Sequence, residues 1–112
     1  MWKRIQTEAK EAVEKEPLLG GSLHACILHH SSIEHALAYR IASKLASSEM
    51  SEQILREICD DAYKNAEELS LAGRADIVAV YQRDPACNTY LQPLLFFKGF
   101  QALQAYRVAH WL

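Results

Sequence analysis

The segment HACILHH gathers His24, Cys26, His29 and His30 into seven residues, with His35 close behind, and these are the side chains that could hold a metal. On a helix Cys26 and His30 stand four residues apart on one face, a spacing that can chelate. A structural zinc site needs four converging ligands, however, and His24 and His29 point to other parts of the cylinder. The simpler reading is a set of helix-surface and half-buried histidines, and no metal site is expected.

A second candidate is the stretch RDPAC, residues 83–87. Asp84 before Pro85 has the form of a helix N-cap followed by the first helical position, which would close one helix and open another. It also has chemical sense as a binding group. Proline stiffens the backbone, so the carboxylate is presented at small entropic cost. A carboxylate held in this way accepts charge-assisted hydrogen bonds from the ammonium group of an amino acid. The two readings are compatible.

Other chemistry finds less support. Cys26, Cys59 and Cys87 are an odd set with wide, irregular spacing, which fits reduced thiols better than a disulfide framework. A reactive cysteine needs a neighbourhood that stabilises the thiolate. Cys87 has Arg83 nearby, which would lower its pKa, yet a packing cysteine is the simpler reading. No G-x-S-x-G, P-loop or G-x-G-x-x-G occurs. The acidic residues Glu52, Glu57, Asp60, Asp61, Glu67 and Glu68 read as solvated helix faces, and nothing favours paired-carboxylate catalysis.

Helices must carry all of these side chains, since no stretch alternates with a period of two. A first helix is predicted from about Trp2 to Lys15, with Trp2, Ile5, Ala9, Ala12 and Val13 on one stripe. EPLLGGS ends it, because Pro17 restricts Glu16 and Gly20-Gly21 tolerates a turn. A second runs from about Ser22 to His30. In the third, SSIEHALAYRIASKLAS, Ser31 and Glu34 have the capping-box spacing, and Ile33, Ala36, Leu37, Ile41 and Leu45 face the core.

A fourth helix starts after Ser51 and carries Ile54, Leu55, Ile58, Ala62 and Tyr63. A fifth, about Ala66 to Gln82, carries Leu69, Leu71, Ala75, Ile77, Val78 and Tyr81. Gly73 inside it either costs about 1 kcal/mol relative to alanine or marks a kink. A short irregular link follows Pro85. A last helix then has Pro93 in its first turn, bends at Gly99 and runs to the chain end. The expected fold class is all-α, a compact bundle of about six to eight helices forming one domain over residues 1–112.

Composition narrows the partners. A formal charge of −2 and the lack of a basic stripe argue against nucleic acid. Nothing approaches the run of about 18 apolar residues that a membrane span requires. The opening MWKRIQTEAKEAVEKEP lacks the apolar core of a secretory signal, so the cytoplasm is the expected location. Phe96, Phe97, Phe100, Leu103, Tyr106 and Trp111 make the last helix the most aromatic segment. Either all of these enter the core, or part of them forms an exposed patch for another chain or domain.

Taken together, SIEHALAYRIASKL, RDPAC and FFKGFQALQAYRVAHWL resemble the amino-terminal helical domain of the serine acetyltransferases. The likeness runs from about Trp2 through Leu112. It is carried most by R-D-P-A and by K-G-F-x-A-x-Q-A-x-R-x-x-H-W.

The resemblance implies a parent enzyme that transfers acetyl from acetyl-CoA to the hydroxyl of L-serine, giving O-acetylserine for cysteine biosynthesis. It implies a left-handed parallel β-helix of hexapeptide repeats after the helical domain, with trimers formed through the β-helix. Helical domains would then join two trimers into a hexamer, and a carboxy-terminal tail would dock onto O-acetylserine sulfhydrylase. The family's general-base histidine and its aspartate partner lie in the β-helix. No catalytic residue, no bound cofactor and no acetyl transfer are therefore expected of this piece alone, and the ending AHWL is read as a truncation. His110 matches a structural part of the family, not the base. One residue carries over: Asp84, matching the aspartate that contacts L-serine and also L-cysteine, the feedback inhibitor. The alternative is a non-enzymatic helical module for oligomerisation.

Overall fold

Trp2–Lys15 forms helix α1 and buries Ile5 and Ala9 completely, with Trp2, Ala12 and Val13 packed at the edge of the core. The computed structural model describes residues 1–112. Glu16 is extended (φ −140°, ψ 88°), as a residue before proline must be, and Pro17–Leu19 makes a single 3₁₀ turn. The segment predicted as one helix from Ser22 to His30 is instead a series of short turns. Gly20–Leu23 forms α2, and His24–Leu28 is a π-helical turn in which the His29 N–H bonds the His24 carbonyl at 3.1 Å. That wider turn changes which side chains share a face, so the α-helical spacing assumed for Cys26 and His30 does not apply.

Helix α3 spans Ile33–Leu45 and buries Ile33, Ala36, Leu37, Ala38, Ile41 and Ala42. Its N-cap is Ser32, whose Oγ accepts from the His35 N–H at 3.2 Å, so the predicted Ser31–Glu34 box is wrong by one residue. Glu34 does not reach back. Its Oε1 accepts from Ser70 at 2.5 Å and from Arg74 at 2.9 Å on a neighbouring helix. Helix α4, Glu52–Asn65, is capped by Ser51, which accepts from the Ile54 N–H at 3.2 Å.

Helix α5, Glu67–Arg83, runs without interruption through Gly73. That glycine is buried where three helices meet: a Cβ there would lie 3.2 Å from both Gln104 Oε1 and Leu37 Cδ1. Close approach, not a kink, explains it. The predicted last helix is two. Leu91–Phe96 is α6 and Lys98–Trp111 is α7, separated by an extended Phe97 (φ −92°, ψ 96°), so the break precedes Gly99.

These seven α-helices, with no strand, enclose a core of 20 buried residues that includes Ile5, Ile27, Leu37, Ile77 and Leu94. Helices α3 and α4 form the most extensive pair, and α7 packs against α3, α4 and α5. The predicted all-α bundle is the observed one.

Candidate functional site

Helix α5 stops at Asp84. The Asp84 N–H still bonds the Val80 carbonyl at 2.9 Å, but its backbone is extended (φ −95°, ψ 115°), as Pro85 demands. Its side-chain Oδ1 accepts from the Ala86 N–H at 2.9 Å, and its carbonyl accepts from the Cys87 N–H at 3.0 Å. This is an Asx-type turn. No helix opens at Pro85, so the predicted N-cap role is corrected: Asp84 bonds the backbone two residues on, and the next helix waits until Leu91.

The other carboxylate oxygen, Oδ2, has no hydrogen-bond partner, and the residue is half-buried. Asp84 borders an open recess of about 530 Å³ shared with Ala79, Val80, Arg83, Pro85 and Phe97. One oxygen is thus fixed and one is free, beside an apolar wall and a guanidinium-bearing residue.

The rest of the loop is tied by its own side chains. Gln92 Oε1 accepts from the N–H groups of Asn88 at 2.7 Å and Thr89 at 3.2 Å, while Thr89 Oγ1 accepts from the Gln92 N–H at 3.2 Å. This reciprocal pair is spelled T-x-x-Q in the sequence, a capping-box signal that the sequence reading passed over. Cys87 is buried, and its Sγ–H donates to the Thr89 carbonyl at 3.2 Å. Burial pushes its thiol pKa up, so nearby Arg83 does not activate it and the packing role stands.

The other candidates fall elsewhere. His30 is only 4% exposed, with Nε2 2.9 Å from the Ala25 carbonyl, so that nitrogen carries the proton. Its ring lies 4.2 Å from that of His29 and 5.1 Å from that of Tyr39. Burial pushes its pKa down to about 4, partly opposed by the bond to Ala25. Cys26 is buried with Arg40 Nη1 3.8 Å from its sulfur, whereas His24, His29 and His35 are exposed. No three His, Cys, Asp or Glu side chains gather closely enough to hold a metal.

A second recess, about 800 Å³, lies between α3, α4 and α5 and is lined by Glu57, Asp60, Asp61 and Glu67. Glu34 inside it is engaged by Ser70 and Arg74. Burial alone would raise the Glu34 carboxyl, but the bonds from Ser70, the backbone N–H and Arg74 outweigh it and lower the pKa. The recess shares no residue with the one that Asp84 borders. The aromatic segment divides: Phe100 is buried, whereas Phe96 is 64% and Tyr106 63% exposed.

Known proteins share this fold. The family described as "Serine acetyltransferase, N-terminal" matches residues 1–105. The serine acetyltransferase of Salmonella typhimurium is 45% identical over 112 residues, covering 100% of this chain and 41% of the relative. The crystal structure of serine acetyltransferase from Brucella abortus superposes with a TM-score of 0.95 at 44% identity, covering 100% of this chain and 46% of that one. The Neisseria gonorrhoeae serine acetyltransferase, solved in complex with serine, gives a TM-score of 0.95 at 43% identity, again over 100% of this chain and 46% of that one. The chain therefore spans about two-fifths of the length of its curated relatives (41%). Nearly the whole sequence matches that family and the fold coincides with its solved members, so the chain belongs to the serine acetyltransferase amino-terminal family.

Proposed function

We propose that residues 1–112 serve as the amino-terminal helical domain of a serine O-acetyltransferase, and that Asp84 completes its amino-acid site. The observation that carries this reading is the divided carboxylate of Asp84, with Oδ1 committed to Ala86 and Oδ2 free at the edge of a recess. L-Serine offers an ammonium and a hydroxyl, both donors, and a pre-oriented acceptor gains from them with little ordering cost. L-Cysteine carries the same ammonium group and would compete for the same oxygen. The Neisseria relative solved with serine supports the same substrate class.

The catalytic base and the position of acetyl-CoA belong, on this reading, to polypeptide matching the rest of the relatives' length. The 112-residue chain alone then transfers no acetyl group and holds no cofactor. Exposed Leu18, Phe96 and Tyr106 offer apolar surface for a second copy, in keeping with a dimer of trimers. Docking of O-acetylserine sulfhydrylase falls to a carboxy-terminal tail. A cytoplasmic setting suits three cysteines that form no disulfide, and no helix is long and apolar enough to cross a membrane.

The test is Asp84→Asn in the full-length protein. Losing a charge-assisted bond lowers kcat/KM for serine by about 30-fold, with cysteine inhibition weakened in step. The KM for acetyl-CoA stays where it was. Unchanged serine and cysteine affinities would retire the proposal.

A further inference from the structure

We infer that Arg4 and Glu8 on α1 are positioning residues for Asp84, forming a clasp that holds both ends of the 84–90 loop. This rests on the reading of Asp84 as part of the amino-acid site. Glu8 Oε1 accepts from the Leu91 N–H at 3.2 Å, at the start of α6. Glu8 Oε2 takes Arg4 Nε at 3.3 Å, and Arg4 Nη2 donates to the Tyr81 hydroxyl at 3.3 Å, in the last turn of α5. The guanidinium also lies 4.0 Å over the Tyr90 ring and 5.2 Å from that of Tyr81, and the two rings meet edge to face at 4.8 Å.

One stem of the loop is therefore gripped through Tyr81 and the other through Tyr90 and Leu91. Both grips come from a helix about 80 residues away in sequence. The bonds within the loop (Asp84 to Ala86, Thr89 with Gln92) set its internal shape but not its angle to the bundle. Burial of Cys87 and Leu91 anchors the loop to the core, and the clasp adds directional bonds from α1 at both stems.

An exposed arginine–glutamate pair four residues apart adds little to stability, so the ion pair by itself does not explain the arrangement. Glu8 is different. Its side chain is only 13% exposed, and it satisfies an N–H that α6 leaves without a helical partner. Directional control is the remaining consequence. The free Asp84 oxygen points where the clasp aims the loop, and a displacement of about 1 Å at a reacting group is costly in rate.

The experiment uses the full-length protein and four variants: Glu8→Ala, Glu8→Gln, Arg4→Met and Asp84→Asn. Glu8→Ala and Arg4→Met should each raise the KM for serine and the inhibition constant for cysteine about five- to tenfold, the size expected for one lost hydrogen bond or cation–π contact. The KM for acetyl-CoA should move by less than about twofold, since uniform damage is not expected from a directional fault. Glu8→Gln keeps an oxygen for Leu91 and should recover most of the serine affinity. If Glu8→Ala does not fold, Arg4→Met decides alone, because it leaves the Glu8–Leu91 bond in place. The inference is overturned if both substrates shift together or if only thermal stability falls. Should Asp84→Asn also leave serine untouched, the site assignment has failed and not merely the clasp.

Discussion

Arg107 grips Asp76 through both carboxylate oxygens, Nε to Oδ2 at 2.9 Å and Nη2 to Oδ1 at 3.0 Å, and so locks α7 to α5. Gln104 adds a third bond, its Nε2 donating to Asp76 Oδ2 at 2.6 Å. Gln104 is 1% exposed, and its Oε1 has no partner at all. The amide therefore depends on Asp76 for its one hydrogen bond.

Asp76→Ala should accordingly be among the most damaging polar substitutions in the bundle. It leaves Gln104 unsatisfied at both ends and Arg107 without its counter-ion. A loss of about 3 kcal/mol is expected, which for a domain of this size lowers Tm by roughly 10–20 °C. Urea unfolding followed by circular dichroism measures it. A loss below about 1 kcal/mol would mean that the side chains find new partners.

Gly73 and Gly99 make a matched pair. At Gly73 a Cβ meets Gln104 Oε1 and Leu37 Cδ1 at 3.2 Å, whereas at Gly99 nothing lies within 4 Å. Gly99→Ala should stabilise the chain by about 0.5–1 kcal/mol through a less flexible unfolded state. Gly73→Ala gains the same entropy but must push two pinned side chains, so its net effect should fall below that of Gly99→Ala. Gly73→Val should cost more than about 2 kcal/mol by overpacking. Equal gains at both positions in thermal melts would contradict the close packing of α3, α5 and α7.

How much of this was legible beforehand depended on range. Stripes such as Ile5 and Ala9, or Ile33, Leu37 and Ile41, follow from helical periodicity, and each proved buried. The RDPAC stretch was legible as a helix stop, but which Asp84 oxygen the turn spends was not. That choice is made by the Ala86 N–H two residues on, which wins over a cap to a later turn. The Ser31–Glu34 box failed because Glu34 found Ser70 and Arg74, 36 and 40 residues away. The Arg4–Glu8 clasp had no local signature, since its targets lie on the far side of the sequence.

Acid should weaken the fold in two separable windows. His30 has a pKa of about 4 in the bundle against an ordinary value of 6.5. Its folded pKa is depressed, so the unfolded chain binds the proton first as pH falls. The stability linked to His30 is complete above pH 6.5, drains as pH drops toward 4 and falls no further below that. By pH 5 the loss is on the order of 2 kcal/mol. The neighbouring His29, His35 and Arg56 charges add to the burial that disfavours the imidazolium. Glu34 acts later, because its lowered pKa means its contribution is lost only as pH falls below about 4.5. Urea midpoints at pH 7.5 and pH 5 test this: His30→Gln, which cannot titrate, should show the smaller difference. Identical differences in the two proteins would remove His30 as the cause.

Asp84 closes a helix and also presents a free oxygen, and the two duties can be separated by chemistry. Asn keeps an Oδ1 acceptor for the Ala86 N–H but lacks the charge, whereas Ala keeps neither. Asp84→Asn should therefore leave the stability of the 112-residue chain within about 0.5 kcal/mol, and Asp84→Ala should cost about 1 kcal/mol for the lost turn bond. In the full-length protein both should lose affinity for serine and cysteine to a similar degree, since both lack the anionic oxygen. Chemical denaturation of the 112-residue chain and steady-state kinetics of the full-length protein supply the two axes. If affinity tracked stability, with Asn near the parent on both, the carboxylate would be a helix stop alone. If Asn lost affinity while keeping its stability, the charge itself would be what the amino acid reads.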